Sequence, residues 1–250
     1  MNIWITGAST GLGRELAAQY AREGHKVCIS ARGAEGLETL RTEVGQNIVP
    51  IPLDITDPAG VQTAFDQIVG AVGVPDLCVF NAGTHLRDSA LSIDPQHHER
   101  IMKINYLGTV NCLSSVIPAC VERGSGHIAV VSSVAGYRGL PYAAAYGASK
   151  AALINLCESL QPELAAAGVR LSVVNPGFVR TPLTDKNEFP MPFLMEVEDA
   201  ASSMRQGLAS GRFEVTFPKR FTWLLKMFRL LPIAVYLRMT RNLLDPQNKS

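Results

Sequence analysis

The chain has little charge, few aromatics and no paired-cysteine pattern, and each shortage removes a class of protein. Charged residues make up 18% of its 250 positions and nearly cancel, 23 basic against 22 acidic. A dedicated nucleic-acid binder carries a strongly basic balance, so no nucleic-acid partner is expected. The five cysteines (Cys28, Cys78, Cys112, Cys120 and Cys157) are odd in number and contain no C-x-x-C pair. They read as buried thiols of a reducing compartment, without a disulfide scaffold or a zinc framework. No uninterrupted apolar run reaches the ~18 residues that span a bilayer. Ile3-Trp4-Ile5 already reads as a core strand, so no signal peptide is expected. The expected location is cytoplasmic, at most peripheral to the inner face of a membrane. What the chain does have is a 47% apolar share, enough for a sizeable core in one α/β domain of this length.

Strands and helices alternate through the first half. Asn2 to Thr6 reads as a strand and Gly7-Ala-Ser-Thr-Gly-Leu-Gly13 as a glycine-rich turn. Leu12 to Arg22 then reads as a helix with Leu12, Leu16, Ala17 and Tyr20 on one face. Glycines permit positive φ and close backbone approach, and a helix N-terminus offers unpaired N–H groups to a pyrophosphate. Gly7, Ser9, Thr10, Gly11, Leu12 and Gly13 are therefore candidate cofactor-binding residues. The second strand, Lys26 to Ala31, leads into Arg32 where an acid would bind the ribose 2′-hydroxyl of NAD. A guanidinium there suits a 2′-phosphate, so Arg32 favours NADP(H). Ile48 to Leu53 is a third strand, and Asp54 at its end can accept from an adenine amino group, with Ile55 beside it. Asp57-Pro58 supplies an N-cap and a first-turn proline for the next helix. Asp76 to Phe80 is a fourth strand, closed by Asn81-Ala82-Gly83. This order implies βαβ units in a parallel sheet with helices on both faces and ligands at the carboxyl ends of the strands.

The chemistry concentrates between Ser132 and Lys150. His127 to Val131 reads as a buried strand ending in two serines, Gly136, Gly139 and Pro141 form a loop, and helix resumes near Ala143. Tyr146 and Lys150 are four apart on that helix, about 6 Å along its axis and on one face. A phenol with a pKa near ~10 is a poor acid–base group at neutral pH, and an adjacent ammonium lowers that value. A serine hydroxyl from the strand end can bond the same oxygen that Tyr146 protonates. That trio suits carbonyl–alcohol interconversion, in which a proton moves on oxygen while a hydride moves on carbon. Upstream, Pro95 to about Glu122 reads as one long helix containing Asn105. His97 and His98 are adjacent on it, point apart, and read as surface residues; His85 is a candidate for the mouth of the site.

Thr6-Gly7-x-x-x-Gly11-x-Gly13, Asp54, Asn81-Ala82-Gly83, Asn105, Ser133, Tyr146-x-x-x-Lys150 and Asn175-Pro176-Gly177 follow one another over residues 1 to about 182. In this set and order the chain resembles the short-chain dehydrogenase/reductase family in its common single-domain form. The resemblance implies a Rossmann-like, doubly wound parallel sheet of about seven strands. It implies an NADP(H)-dependent oxidoreductase that acts on CH–OH groups. Tyr146 would be the acid–base residue, and Lys150 would lower its pKa and hold the nicotinamide ribose. The thirteen-residue step to Tyr146 favours Ser133 over Ser132 for orienting the substrate oxygen, and Asn105 would hold a water linking Lys150 to solvent. Pro176 and Gly177 would pass under the nicotinamide, with Val179 and Thr181 against its carboxamide. A homodimer or homotetramer would form through the helix from Tyr146 to Ala167 and the one holding Asn105.

The resemblance thins in the last third. Residues 182–196 would form the substrate lid, and Leu183 to Met195 contains two prolines, two phenylalanines and two methionines. Such an apolar, adaptable cover fits a hydrophobic substrate. Arg212 to Phe217 is the expected last strand, which closes the main domain at residue 217. In the tail, 218–250, Phe221, Leu224, Leu225, Phe228 and Leu231 recur at helical spacing. Lys219, Arg220, Lys226, Arg229, Arg238 and Arg241 accompany them, and Asp245 is the sole acid. A basic amphipathic helix with Trp and Phe reads as a membrane-surface element, here 218–244. The rival is a helix pair that caps the cleft or packs on a partner subunit. The sequence therefore points to a reductase of an apolar or lipid-like ketone. Its alternatives are a reductase of small soluble carbonyls and a non-catalytic NADP(H)-binding sensor, against which the Ser133–Tyr146–Lys150 set argues.

Overall fold

Strand β1 (Asn2–Thr6) sets the pattern for the whole sheet. Its side chains alternate: Trp4 packs with Phe65 and Phe80 on one face, while Ile3 and Ile5 pack among Leu16, Val27 and Val79 on the other. A strand buried on both faces belongs to a parallel sheet covered by helices on each side. The structure, a computed structural model, describes residues 1–185 and 191–244.

After β1 the chain runs through α1 (Gly11–Arg22), β2 (Lys26–Ser30), α2 (Ala34–Val44), β3 (Ile48–Pro50), α3 (Pro58–Val72) and β4 (Leu77–Phe80). It continues through α4 (Pro95–Met102), α5 (Gly108–Arg123), β5 (Gly126–Val131), α6 (Ala144–Ala166), β6 (Val169–Pro176), α7 (Val197–Ala209) and β7 (Glu214–Phe217). Two tail helices follow, α8 (Lys219–Arg229) and α9 (Ile233–Thr240). The seven strands lie in the order β3-β2-β1-β4-β5-β6-β7 and every neighbouring pair is parallel. This is the doubly wound sheet expected from the sequence. Strand order reverses between β1 and β4, which opens a crevice at the carboxyl ends there.

Three details depart from the sequence reading. β3 stops at Pro50, because Pro50 and Pro52 have no N–H. Pairing thins to Ile51 N–Ile29 O at 2.9 Å and Leu53 N–Ala31 O at 2.9 Å. The long helix is not uniform: a π-helical turn, Lys103–Leu107, separates α4 from α5, and Asn105 lies fully buried within it. This stretch, Pro95–Arg123, is long and apolar enough to cross a membrane, yet Ile101, Cys112, Leu113 and Val116 bury it in the protein core. In the tail, Phe221 and Leu225 pack into the core layer that contains Trp4, while Leu224 turns outward and is 40% exposed. All five cysteines are buried and unpaired, as expected.

Candidate active site

The nucleotide end of the crevice is built from backbone. Gly7 has φ +68°, and a Cβ on it would lie 2.7 Å from Ala82 Cα. A Cβ on Gly13 would lie 2.4 Å from Gly7 O and 2.5 Å from Asn81 Nδ2. Only hydrogen fits at either place, so the β1–α1 turn and the Asn81-Ala82-Gly83 turn close on one another. Asn81 Nδ2 donates to Gly7 O at 3.1 Å, and Thr6 Oγ1 accepts from the Asn81 and Ala82 amides at 3.1 and 3.2 Å. Thr10 precedes α1 in extended conformation, its side chain caps no N–H, and the first turn contains no acid. The helix therefore presents its unpaired N–H groups and positive end to the crevice.

A cavity of about 680 Å³ runs along the carboxyl ends of the strands. Gly7, Ser9, Thr10, Gly11 and Leu12 form one end of its wall, and Arg32, Asp54 and Ile55 line the side below β2 and β3. Asn81, Ala82 and Gly83 lie across its middle; Ser133, Tyr146, Lys150, Pro176, Gly177, Val179 and Thr181 line the rest. Two sequence candidates stand off the wall: Gly13 serves packing, and Asn105 sits behind Gly83. Asp54 accepts from the Thr56 amide and hydroxyl, both at 2.9 Å, and these bonds hold its carboxyl below the usual range, helped by Arg32 and Lys103. Arg100 and Lys103 also line the cavity. Sequence reasoning missed them because they come from α4 and the π turn, where no local motif marks a ligand. A glycine cradle, an open helix N-terminus and three cations make a donor set that fits a dinucleotide carrying an additional phosphate.

The catalytic end depends on α6, which begins at Ala144 without a capping side chain of its own. Asp88, from the loop after β4, accepts from the Ala144 and Ala145 amides at 2.9 and 2.6 Å. The uncapped Ala143-Ala144-Ala145 start was the only sequence sign that a distant acid was needed. Ser132 Oγ donates to Lys150 O at 2.7 Å and is closed off by the helix. Ser133 bonds the Tyr146 phenol and accepts from the Ala135 amide at 3.1 Å. Of the two serines, only Ser133 meets the tyrosine. Lys150 Nζ donates to Val131 O at 2.9 Å and lies 5.7 Å from the Tyr146 ring centroid. A Cβ on Gly83 would come within 3.2 Å of Asn105 Oδ1 and 3.5 Å of Lys150 Nζ, so this glycine lets the two side chains converge. Asn105 Oδ1 accepts from Thr84 N at 2.8 Å, and its Nδ2 donates to Thr84 O and Ser149 Oγ at 3.0 and 2.9 Å.

Protonation here runs against the simplest expectation. Burial pushes the Tyr146 phenol up, with the Ser133 hydrogen bond pulling the other way. Burial also pulls Lys150 down to about 8. Desolvation, rather than an ammonium beside the phenol, dominates both groups. His85 packs edge-on against Tyr146 with ring centroids 4.7 Å apart, though it does not line the cavity itself, and burial lowers its pKa. His97 and His98 are half-buried rather than on the surface. Both Nε2 atoms are enclosed without a hydrogen bond, and His98 Nε2 lies 3.9 Å from Asp88 Oδ2. Among the described residues no group of side chains could hold a metal ion.

The tail joins this end of the crevice. Phe221 lies over the Gly177 backbone, where a Cβ would come within 2.9 Å of its ring. Phe178 and Phe193 each place a ring centroid 5.7 Å from that of Phe221. Glu214 accepts from Tyr137 Oη at 2.6 Å, from Asn175 Nδ2 at 3.0 Å and from Lys226 Nζ. Met195 forms a bridge with Val179, while Phe189 and Pro190 of the expected lid lie outside the described residues.

Comparison with known proteins gives a consistent set. The family model described as short chain dehydrogenase matches residues 1–190. An uncharacterized oxidoreductase of Myxococcus xanthus is 40% identical over 235 residues, covering 93% of both chains. The bovine dehydrogenase/reductase SDR family member 7B is 32% identical over 189 residues; the match covers 72% of this chain and 58% of that protein. Among solved structures, ElxO with NADP bound superimposes with a TM-score of 0.78 at 28% identity, over 86% of this chain and 96% of that one.

Proposed function

Because this chain belongs to the short chain dehydrogenase family of oxidoreductases, we propose that it reduces an apolar ketone to a secondary alcohol with NADPH. One observation carries the reading: Ser133, Tyr146 and Lys150 share a cavity wall with the glycine cradle and Arg32. Bound NADPH would supply the hydride that reaches the carbonyl carbon. The protein's part is at oxygen. Ser133 holds the carbonyl oxygen, and the Tyr146 phenol delivers its proton there as the alcohol forms. A phenol pushed up by burial stays protonated until that moment, which suits reduction. Lys150 sets the field beside it and holds the nicotinamide ribose, and Asn105 keeps the water that returns a proton. Gly7, Ser9, Thr10, Gly11 and Leu12 hold the pyrophosphate, with Gly13 keeping their turn closed. Arg32 would take the 2′-phosphate and Asp54 and Ile55 the adenine, with Asn81, Ala82 and Gly83 lining the cofactor's path between the two ends of the cavity. Pro176, Gly177, Val179 and Thr181 seat the nicotinamide.

The apolar substrate is inferred from Phe178, Phe193 and Phe221 clustered beside Gly177. Residues 1–217 would form the catalytic domain, and the faces of α5 and α6 would pair copies into a dimer or tetramer. The test follows NADPH oxidation with long-chain and small soluble ketones in parallel, with NADH for comparison. Turnover should favour NADPH and long chains, and Tyr146→Phe should lower it by about 10²–10⁴-fold while NADPH still binds. Equal use of small ketones would replace the apolar reading with a soluble-carbonyl reductase. Tight NADPH binding with no turnover on any carbonyl would leave a sensor.

A further inference from the structure

We propose that the outward face of α8 and α9 docks on an anionic lipid bilayer, beside the crevice that receives the substrate. The tail separates its residues sharply. Phe221, Thr222, Tyr236 and Thr240 are buried against the main domain. On the opposite side of α8 Trp223 is 65% exposed and Leu230 78%, while on α9 Ile233 and Leu237, on the stripe of Tyr236 and Thr240, stay 61% and 54% exposed. Trp223, Leu224, Met227 and Leu230 fall at i, i+1, i+4 and i+7, which makes one helical face. Nine of the seventeen large apolar side chains left exposed among the described residues lie between Trp223 and Leu243. A patch that dense on a soluble chain marks an interaction surface.

Charge identifies the occupant. Lys226 is held by Glu214 on the docked side. Arg229 shares the docked stripe of Thr222 and Leu225, but Lys219, Arg220, Arg238 and Arg241 are exposed along the helices, and no acid occurs from Pro218 to Leu244. An isologous contact with a second copy would set these four cations against the same four, which repel. Anionic headgroups complement them, and Trp223 among leucines suits the headgroup–acyl boundary. The attachment also leads to the site. Phe221 packs on Gly177 of the cavity wall, and Tyr236 Oη bonds Gly139 O in the loop between Ser133 and Tyr146 at 2.7 Å. A docked tail thus holds the crevice at the lipid surface, where an apolar ketone would be dissolved. The delivery step rests on the apolar-ketone reading; the docking does not.

The full chain carries its own probe, since Trp4 is fully buried and Trp223 is exposed. Mixed phosphatidylserine–phosphatidylcholine vesicles should sediment the protein and shift its tryptophan emission to the blue. Phosphatidylcholine alone should do so at least about tenfold more weakly, and about 0.5 M salt should weaken the anionic case. Leu230→Glu should abolish sedimentation while NADPH binding and turnover of a small soluble ketone stay unchanged. Trp223→Phe should remove the emission shift and keep the binding. No sedimentation with either vesicle, or undiminished sedimentation of Leu230→Glu, overturns the proposal. So does a wild-type assembly that Leu230→Glu dissociates in light scattering without vesicles, which would assign the face to a second copy. Turnover on soluble ketones is measured in the same preparations, so a failure of docking is distinguishable from a failure of the chemistry.

Discussion

The glycine turn at the start of the chain and the helical tail at its end use apolar surface in opposite ways. Around the turn, Ile3, Trp4, Ile5, Ala8 and Leu16 are all fully buried, and side chains are removed wherever two backbones must meet. In the tail, a short helix pair is tied down by a few buried residues and leaves nine large apolar side chains exposed. Tight packing holds donors where a phosphate or a hydride acceptor must sit to within a fraction of an ångström. A surface of the kind proposed for the tail would have no such requirement, because lipid conforms to whatever it meets. Precision in this molecule follows the chemistry.

Substitution at the closest approach gives the largest expected separation of the two regions. Gly13→Val places a side chain where 2.4 Å separates its Cβ from Gly7 O, so turn and helix must move apart. Chemical denaturation should record a loss of about 3 kcal/mol or more, with NADPH binding abolished. The matching tail change, Leu230→Ala, should stay within about 0.5 kcal/mol. A larger loss from the tail would reverse the comparison.

Acid should also act on the sheet before the tail. His127, on β5, is buried with Nε2 2.9 Å from Ser172 Oγ, and burial, with Arg170 nearby, lowers its pKa to about 4. The unfolded chain binds that proton near ~6.5, so it holds more protons than the folded one between the two values. Stability therefore rises with pH across about 4 to 6.5 and is lost as pH falls through that window, by up to about 3 kcal/mol from this group. Stability measured at intervals of pH should show the slope in wild type and a flatter one in His127→Gln. A slope that persists in the variant would move the acid sensitivity elsewhere.

The sequence disclosed what is local. Thr6-Gly7 to Gly13, the strand alternation and Tyr146-x-x-x-Lys150 each combine short spacing with unusual residue types, and the structure places them at one crevice. The tail stripe with Phe221 and Leu225, which reads as a membrane-surface face, packs into the core instead and only Leu224 turns outward, because helical spacing says which residues share a stripe and leaves open what covers it. Asp88 capping α6 from fifty-six positions away, and Arg100 with Lys103 on the cavity wall, depend on contacts that no neighbouring residue announces. Burial decided the rest: spacing placed Lys150 beside Tyr146, but desolvation governs the protonation of both. His97 and His98 were read as surface residues because neither the depth of α4 in the protein nor its neighbours can be counted from its own sequence.

The most local expected effect concerns the link between the two regions. Arg138 Nη1 donates to the carbonyls of Phe228 at 2.7 Å, Arg229 at 3.3 Å and Leu231 at 3.0 Å, while its guanidinium lies 4.0 Å from the Tyr236 ring centroid. One side chain thus completes the end of α8 and covers α9, a cation placed where the helix dipole favours it. Removing it in Arg138→Ala leaves those carbonyls, two of them half-buried, without their donor, so the expected cost is about 1–2 kcal/mol. That cost should fall on the tail alone if the tail opens independently of the sheet. Limited proteolysis within 218–244 should then speed up by about 5–30-fold, the ratio that such an energy implies. The unfolding midpoint of the main domain and its affinity for NADPH should stay where they are. If the midpoint falls with the tail, Phe221 and Glu214 bind the two regions into one cooperative unit, and the looseness of the tail ends at its outer face.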